Sequence, residues 1–311
     1  MGRYIAKRLI ISVITLLVIL LVLFLLLQFM PGSPFNDQKL SPDQIAVLKE
    51  KYGLDKPVIV QFFNYVGNMF RGDLGVSYSL SPNTPIMELL VNRFPITLKI
   101  GFFSMIFGTL AGLLLGFLTA FFKNKILGFF YHVLTLLGIA VPSYLFAMCF
   151  SYFLGFKSEI FPLLYDFRSQ AGSMVMPVMA LSLGVMAVIA RFAKAEAGDV
   201  MKSDYVMLAR CQGLPNRTII LRYVLKNSLM PVITVMAGLL VGLLTGSLVI
   251  EQMFSIPGVG ALLTNAISSN DYSVVIALSF VYSAIYIVVM LILDILYCVI
   301  DPRVRLGGKP E

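Results

Sequence analysis

Few side chains in this sequence can do chemistry, and those few are scattered. One histidine, His132, and three cysteines, Cys149, Cys211 and Cys298, occur in 311 residues. None suggests an external disulfide or a metal site, and His132 reads as an interfacial residue rather than a ligand. The only Gly-Lys pair, Gly308-Lys309, lacks the upstream glycine of a phosphate-cradling loop. No Gly-x-Ser-x-Gly, His-Glu-x-x-His or paired-Cys motif occurs. Within the apolar runs Asp294 is the notable acid. It reads as a hydrogen-bonded brace near Tyr297, with a functional buried carboxylate as the other reading. A string of buried acids, His and Arg that would couple ions or protons is missing. Such a chain can form a path but carries no means of energising it, so energy has to arrive from another chain.

The place for that energy to enter is the segment 202–231, which lies between two long apolar runs. Ser203 or Asp204 can accept the free amides of a first helical turn, Gly213 can close the last turn in the left-handed region, and Pro215 prevents continuation. Tyr205, Leu208 and Ala209 then share one face of about two turns. A short, capped, surface-lying helix over about 203–214 is a docking knob.

The elements that hold this knob follow from composition. Hydrophobic residues make up 59% of the chain and charged ones 13%, and the mean hydropathy is +0.89. A water-soluble domain of this length would expose more charge. The fold class is all-α integral membrane, because the apolar runs match the ~20 residues a helix needs to cross a bilayer. Six spans are expected, over roughly 9–30, 96–122, 129–153, 174–190, 229–250 and 274–300.

Orientation follows from the basic residues. Arg3, Lys7 and Arg8 precede the first span, Lys123 and Lys125 fill the second turn, and Arg191, Lys194, Lys202, Arg210, Arg217, Arg222 and Lys226 fill the fourth connection. Arg303, Arg305 and Lys309 follow the last span, whereas 251–273 has no Lys or Arg. The expectation is a multi-pass cell-membrane protein with both termini cytosolic. The net charge of +8 then reflects topology and anionic lipid, not nucleic acid. The first span is expected to be an uncleaved anchor, since Gln28-Phe29-Met30-Pro31 is not a small-residue cleavage site.

The chain divides into an N-terminal stub and first span (1–30), an external helical segment (31–93), a core with five spans (94–301) and a cytosolic tail (302–311). In the external segment, helices are expected over 41–53, 57–70 and 85–93. Gly108, Gly112 and Gly116 repeat every four residues in the second span, as do Gly238, Gly242 and Gly246 in the fifth. Thr234 and Thr245 fall beside the latter glycines. That small, mildly polar face is either a tight packing seam or the wall of a pathway.

Several segments carry a resemblance. Residues 204–214, Asp-Tyr-Val-Met-Leu-Ala-Arg-Cys-Gln-Gly-Leu, with Pro231 closing the loop, resemble the cytosolic signature of binding-protein-dependent ABC importer permeases. Only Ala209 and Gly213 match the usual Glu-Ala-Ala core well. Tyr52-Gly53-Leu54-Asp55-Lys56-Pro57, Gly72-Asp73-Leu74-Gly75, residues 251–260 from Glu251 to Gly260, and Asp301-Pro302-Arg303 are similar to the "B-type" oligopeptide and dipeptide branch of the type I class. Nickel-transporting relatives share the pattern.

The resemblance implies a pore-forming subunit that is not an enzyme. It implies alternating access driven by two ATPase subunits, which hold the ATP and Mg, so that no cofactor is expected in this chain. It further implies a second homologous permease subunit as heterodimer partner, an extracellular or periplasmic peptide-binding protein, and a peptide substrate. Asp204, Tyr205, Leu208, Ala209, Arg210 and Gly213 would dock the ATPase. Asp55, Phe254, Pro257 and Gly258 would receive the binding protein, and Thr234, Gly238, Gly242, Thr245 and Gly246 would border the path or its seam. Nickel is the alternative cargo, and an ion-coupled secondary transporter is the alternative of another class.

Overall fold

A computed structural model describes residues 2–29, 47, 50, 55–122, 124–244 and 248–300, with side chains described over 8–26, 47, 50, 55–122, 124–243 and 248–292. Every regular element among them is helical, apart from one isolated bridge between Val76 and Pro85. The order is α1 (Gly2–Phe29), α2 (Val58–Phe70), α3 (Ile86–Phe121), α4 (Lys125–Ala140), α5 (Ser143–Phe150), α6 (Gln170–Met201), α7 (Asp204–Cys211), α8 (Asn216–Thr218), α9 (Leu225–Leu244), α10 (Leu248–Met253), α11 (Val259–Ser268) and α12 (Tyr272–Ile300). The helix expected over 41–53 lies outside the described residues except for Val47 and Glu50, both helical. The side chain of Asp294 is also outside them.

Among the described residues, five stretches are long and apolar enough to cross a membrane, and the count reaches six if one bent pair is a single span. That pair is the expected third span. Lys125–Ala140 and Ser143–Lys157 meet at 106°. Pro142 has no amide to continue α4, and its ring drives Val141 out of the helical region to φ −94°, ψ 123°. Hydropathy averaged along 129–153 does not register this break. α5 then continues as π-helical turns through Ser151–Lys157.

Two boundaries also differ from expectation. The helix expected over 85–93 and the second span are one helix, α3, with Pro95 inside it. A proline within a membrane helix removes one backbone bond without ending it. α6 runs well past the apolar window 174–190, through Arg191 and Lys194, because nothing there breaks a helix.

The chain forms two compact units. They do not follow the linear division into a 31–93 segment and a 94–301 core, because residues 257–300 group with 1–95. In this first unit Leu16, Leu20 and Phe24, one turn apart on α1, pack into a core with Leu262, Val274 and Leu278. α2 is amphipathic as expected. It buries Phe62 and Met69, and the Phe62 ring meets Phe24 edge-on at 5.7 Å.

The second unit, residues 96–256, is built on α6. Ala180, Ala187, Ala190, Ala193 and Ala197 are fully buried along this helix. Small side chains let neighbouring helix backbones come close where apolar burial gains little over lipid. The glycines of α3 use that surface. A Cβ added to Gly108, Gly112 or Gly116 would lie 2.6 Å from Val185, 2.8 Å from Ile189 or 2.6 Å from the Ala190 carbonyl. In α3 the glycine ladder is therefore a packing seam.

Candidate functional site

The short helix α7 forms where expected and closes as expected. Gly213 takes φ +76°, which costs a glycine little. The Gly213 amide donates to the Arg210 carbonyl at 2.9 Å and the Leu214 amide to the Ala209 carbonyl at 3.2 Å. These paired bonds satisfy the last carbonyls of the helix. The start differs from the expected cap. Ser203 stands at the N-cap position, but its hydroxyl donates back to the Val200 carbonyl at 2.6 Å and accepts no amide of α7. The turn that links α6 to α7 takes the hydroxyl first.

The two faces of α7 separate cleanly. Val206 and Ala209 are buried against Ala197 of α6 and against Ile219 and Val224 of the π-helical turns Ile219–Val224 that lead into α9. Phe117 and Phe121 at the end of α3 pack on the same cluster. Tyr205, Met207 and Leu208 are exposed, at 43%, 58% and 59%. Asp204, Arg210 and Gly213 are exposed with them. Ala209 is one turn from Tyr205 and close to it around the helix axis. Its small side chain is nevertheless 2% exposed and packs with Val206, on the side that holds the helix down. α7 is an apolar knob fixed to the ends of three long helices.

On α9, Thr234, Gly238 and Gly242 lie one turn apart and all are exposed. A Cβ built on Gly238 or Gly242 meets nothing within 4 Å. Among the described residues, then, Gly238 and Gly242 do not form a close packing seam like that of Gly108, Gly112 and Gly116. Thr245 and Gly246 lie outside the described residues.

The residues expected to receive a binding protein fare unevenly. Asp55 is exposed and Pro257 partly so. Phe254 is 1% exposed, packed with Ile250 and Ile256, and its carbonyl accepts from the Tyr165 amide at 2.8 Å. Gly258 is buried at the start of α11. Phe254 and Gly258 therefore shape their loop from inside and present no side chain to a partner.

Two buried carboxylates escaped the sequence reading. Glu251 is 3% exposed and accepts from the Thr97 hydroxyl at 2.7 Å. Asp271, fully buried, accepts from the Ser77 hydroxyl at 2.5 Å and from the amides of Tyr78, Ser79 and Leu80 at 3.0 Å each. Tyr65 adds a second tie nearby, its hydroxyl 2.8 Å from the Ser273 carbonyl. The only local signal for Asp271 is its place just before α12, where an aspartate commonly caps. Nothing local points to a loop 190 residues earlier.

Two family models match the chain. "Binding-protein-dependent transport system inner membrane component" covers residues 112–306, and the N-terminal model of the same membrane components covers residues 1–101. The dipeptide transport system permease protein DppB of Lactococcus lactis subsp. cremoris is 41% identical over 307 residues, covering 98% of this chain and 100% of that protein. The protein of the same name from Bacillus subtilis is 34% identical over 99% of this chain and all of its own length. The oligopeptide transport system permease protein OppB of Escherichia coli is 32% identical over 98% of this chain and all of its own length.

Proposed function

The chain belongs to the family of binding-protein-dependent transport system inner membrane components, and on that premise we propose how it works. It is a multi-pass inner-membrane protein and the permease subunit of a peptide importer. Relatives of the same length named for dipeptides and oligopeptides support this cargo, and neither nickel nor ion-coupled transport is favoured.

The observation that carries the mechanism is the two-faced α7, with Val206 and Ala209 buried beneath and Tyr205 and Leu208 exposed above. The exposed face docks into a cleft of a separate ATPase subunit on the cytosolic side, where both termini also lie. Because the buried face is packed on the ends of α3, α6 and the turns entering α9, displacement of α7 moves these helices as bodies. That is alternating access driven from outside the membrane domain. Two ATPase subunits hold the ATP and Mg, and this chain performs no hydrolysis. A second homologous permease completes the pathway, with Thr234, Gly238 and Gly242 of α9 bordering the path or its moving seam. A peptide-binding protein approaches the opposite side at Asp55 and Pro257.

Co-purification of the assembled importer, followed by ATP-dependent uptake of labelled peptide into proteoliposomes, tests the reading. Uptake that persists without ATPase subunits, driven by an ion gradient, would overturn it.

A further inference from the structure

α4 and α6 pack closely where Gly138 meets Ala187; a Cβ on that glycine would lie 2.6 Å from the Ala187 side chain. Beside this contact runs a groove of about 390 Å³ lined by Ile139, Val188, Arg191, Phe192 and Ala195. Among the described residues Arg191 is its only polar lining side chain, and it is exposed. One turn along α6, the Lys194 ammonium sits 3.8 Å from the centre of the Tyr131 ring, which fixes the charge beside Arg191. Neither cation has a carboxylate partner among the described residues. The next acid on this face, Asp199, is paired with Lys202 at 3.9 Å. The rest of the lining is apolar, with Ile139 46% and Phe192 40% exposed.

An unpaired cation pair at one end of an apolar groove suits an amphiphile with one anionic end. An extended peptide would leave its backbone amides and carbonyls without partners along Ile139, Val188 and Phe192, whereas an acyl chain asks for none. The guanidinium fork matches phosphate oxygens. The side is also right: the Lys and Arg excess that orients the chain puts this end of α6 at the cytosolic leaflet, where anionic lipid carries the negative surface potential.

We propose that the groove between α4 and α6 binds an anionic phospholipid, with its phosphate held by Arg191 and Lys194 and an acyl chain laid along Ile139, Val188 and Phe192. The orientation comes from the reading above, but the site does not depend on which cargo is carried.

The test uses the assembled importer, exchanged into mixed phosphatidylglycerol and phosphatidylcholine and examined by native mass spectrometry. Phosphatidylglycerol should be retained in preference. The pair Arg191→Gln and Lys194→Gln should lower its retention roughly thirtyfold, as expected for two surface cations, and leave phosphatidylcholine unchanged. A phosphatidylglycerol with a photoreactive acyl chain should label Ile139 or Val188 in the wild-type importer, which decides the matter even if the variant fails to assemble. Unchanged retention in the assembled variant, or labelling confined to other helices, overturns the site. So does displacement by saturating peptide, which would give the groove to the cargo, or by inorganic phosphate alone, which would give it to a free anion.

Discussion

The carboxylate of Asp271, at the start of α12, receives the hydroxyl of Ser77 at 2.5 Å from a loop 194 residues earlier in the chain. The amides of Tyr78, Ser79 and Leu80 converge on the same oxygen. Three successive N–H groups around one anion form a backbone nest, here filled by the protein's own acid. The clasp holds the turn between α2 and α3 against the α11–α12 connection.

Asp271→Asn replaces the anion with an amide whose NH2 group cannot accept. The loss of charge-assisted bonds should cost roughly 3 kcal/mol locally. Hydrogen exchange at Tyr78, Ser79 and Leu80 should accelerate about a hundredfold. Unchanged protection at these three amides would mean that the nest does not hold the loop.

The second tie gives a pH signature. Burial pushes the Tyr65 hydroxyl well above its ordinary value of 10.0, with the hydrogen bond to Ser273 opposing the shift. A group raised on folding favours the protonated folded state. Its contribution is complete below pH 10 and is lost as pH climbs from there toward the raised value. The α2 segment should therefore loosen in alkali, followed as exchange at Leu74 and Gly75. In Tyr65→Phe that alkaline step should vanish; a step of equal size would rule out Tyr65 as its source.

The two glycine ladders should respond oppositely. Gly112→Val drives a side chain into Ile189 and should lower stability by about 1–3 kcal/mol, seen as a reduced melting temperature in detergent. Gly238→Val meets open space and should leave the melt unchanged while lowering peptide uptake. Cysteine at Thr234 should label differently with and without ATP and cargo. Full protection in every state would remove the path role of this face.

The faces of α7 should separate folding from coupling. Leu208→Asp places a charge on an exposed knob, so the protein should insert and assemble but lose cargo-stimulated ATP hydrolysis. Val206→Asp buries an unpaired carboxylate and should cost several kcal/mol, depleting the protein itself. Normal coupled hydrolysis in the Leu208 variant would remove α7 from the drive train.

Gly213→Val tests the closing turn. A β-branched residue at φ +76° should cost about 1–3 kcal/mol. The expected result is an assembled complex with weakened uptake and faster exchange at Leu214, whose amide closes the turn. A variant with wild-type exchange and uptake would show that the left-handed closure is dispensable.

The sequence by itself determined the membrane class, the approximate spans and the short helix closed at Gly213, because each rests on local physics. Hydropathy over twenty residues, a left-handed glycine and a blocking proline all act through near neighbours in the chain. The same local signals left two glycine ladders indistinguishable, since both allow close approach equally. Only packing decided that Gly108, Gly112 and Gly116 are filled by α6 while Gly238 faces open space. The bend at Pro142 was present in the residues but hidden under continuous hydropathy. Ala209 and Phe254 turned inward because neighbours from distant helices cover them. The clasp on Asp271 was not legible at all. A buried carboxylate is stable only if donors surround it, and here those donors come from a loop that only the tertiary fold brings near.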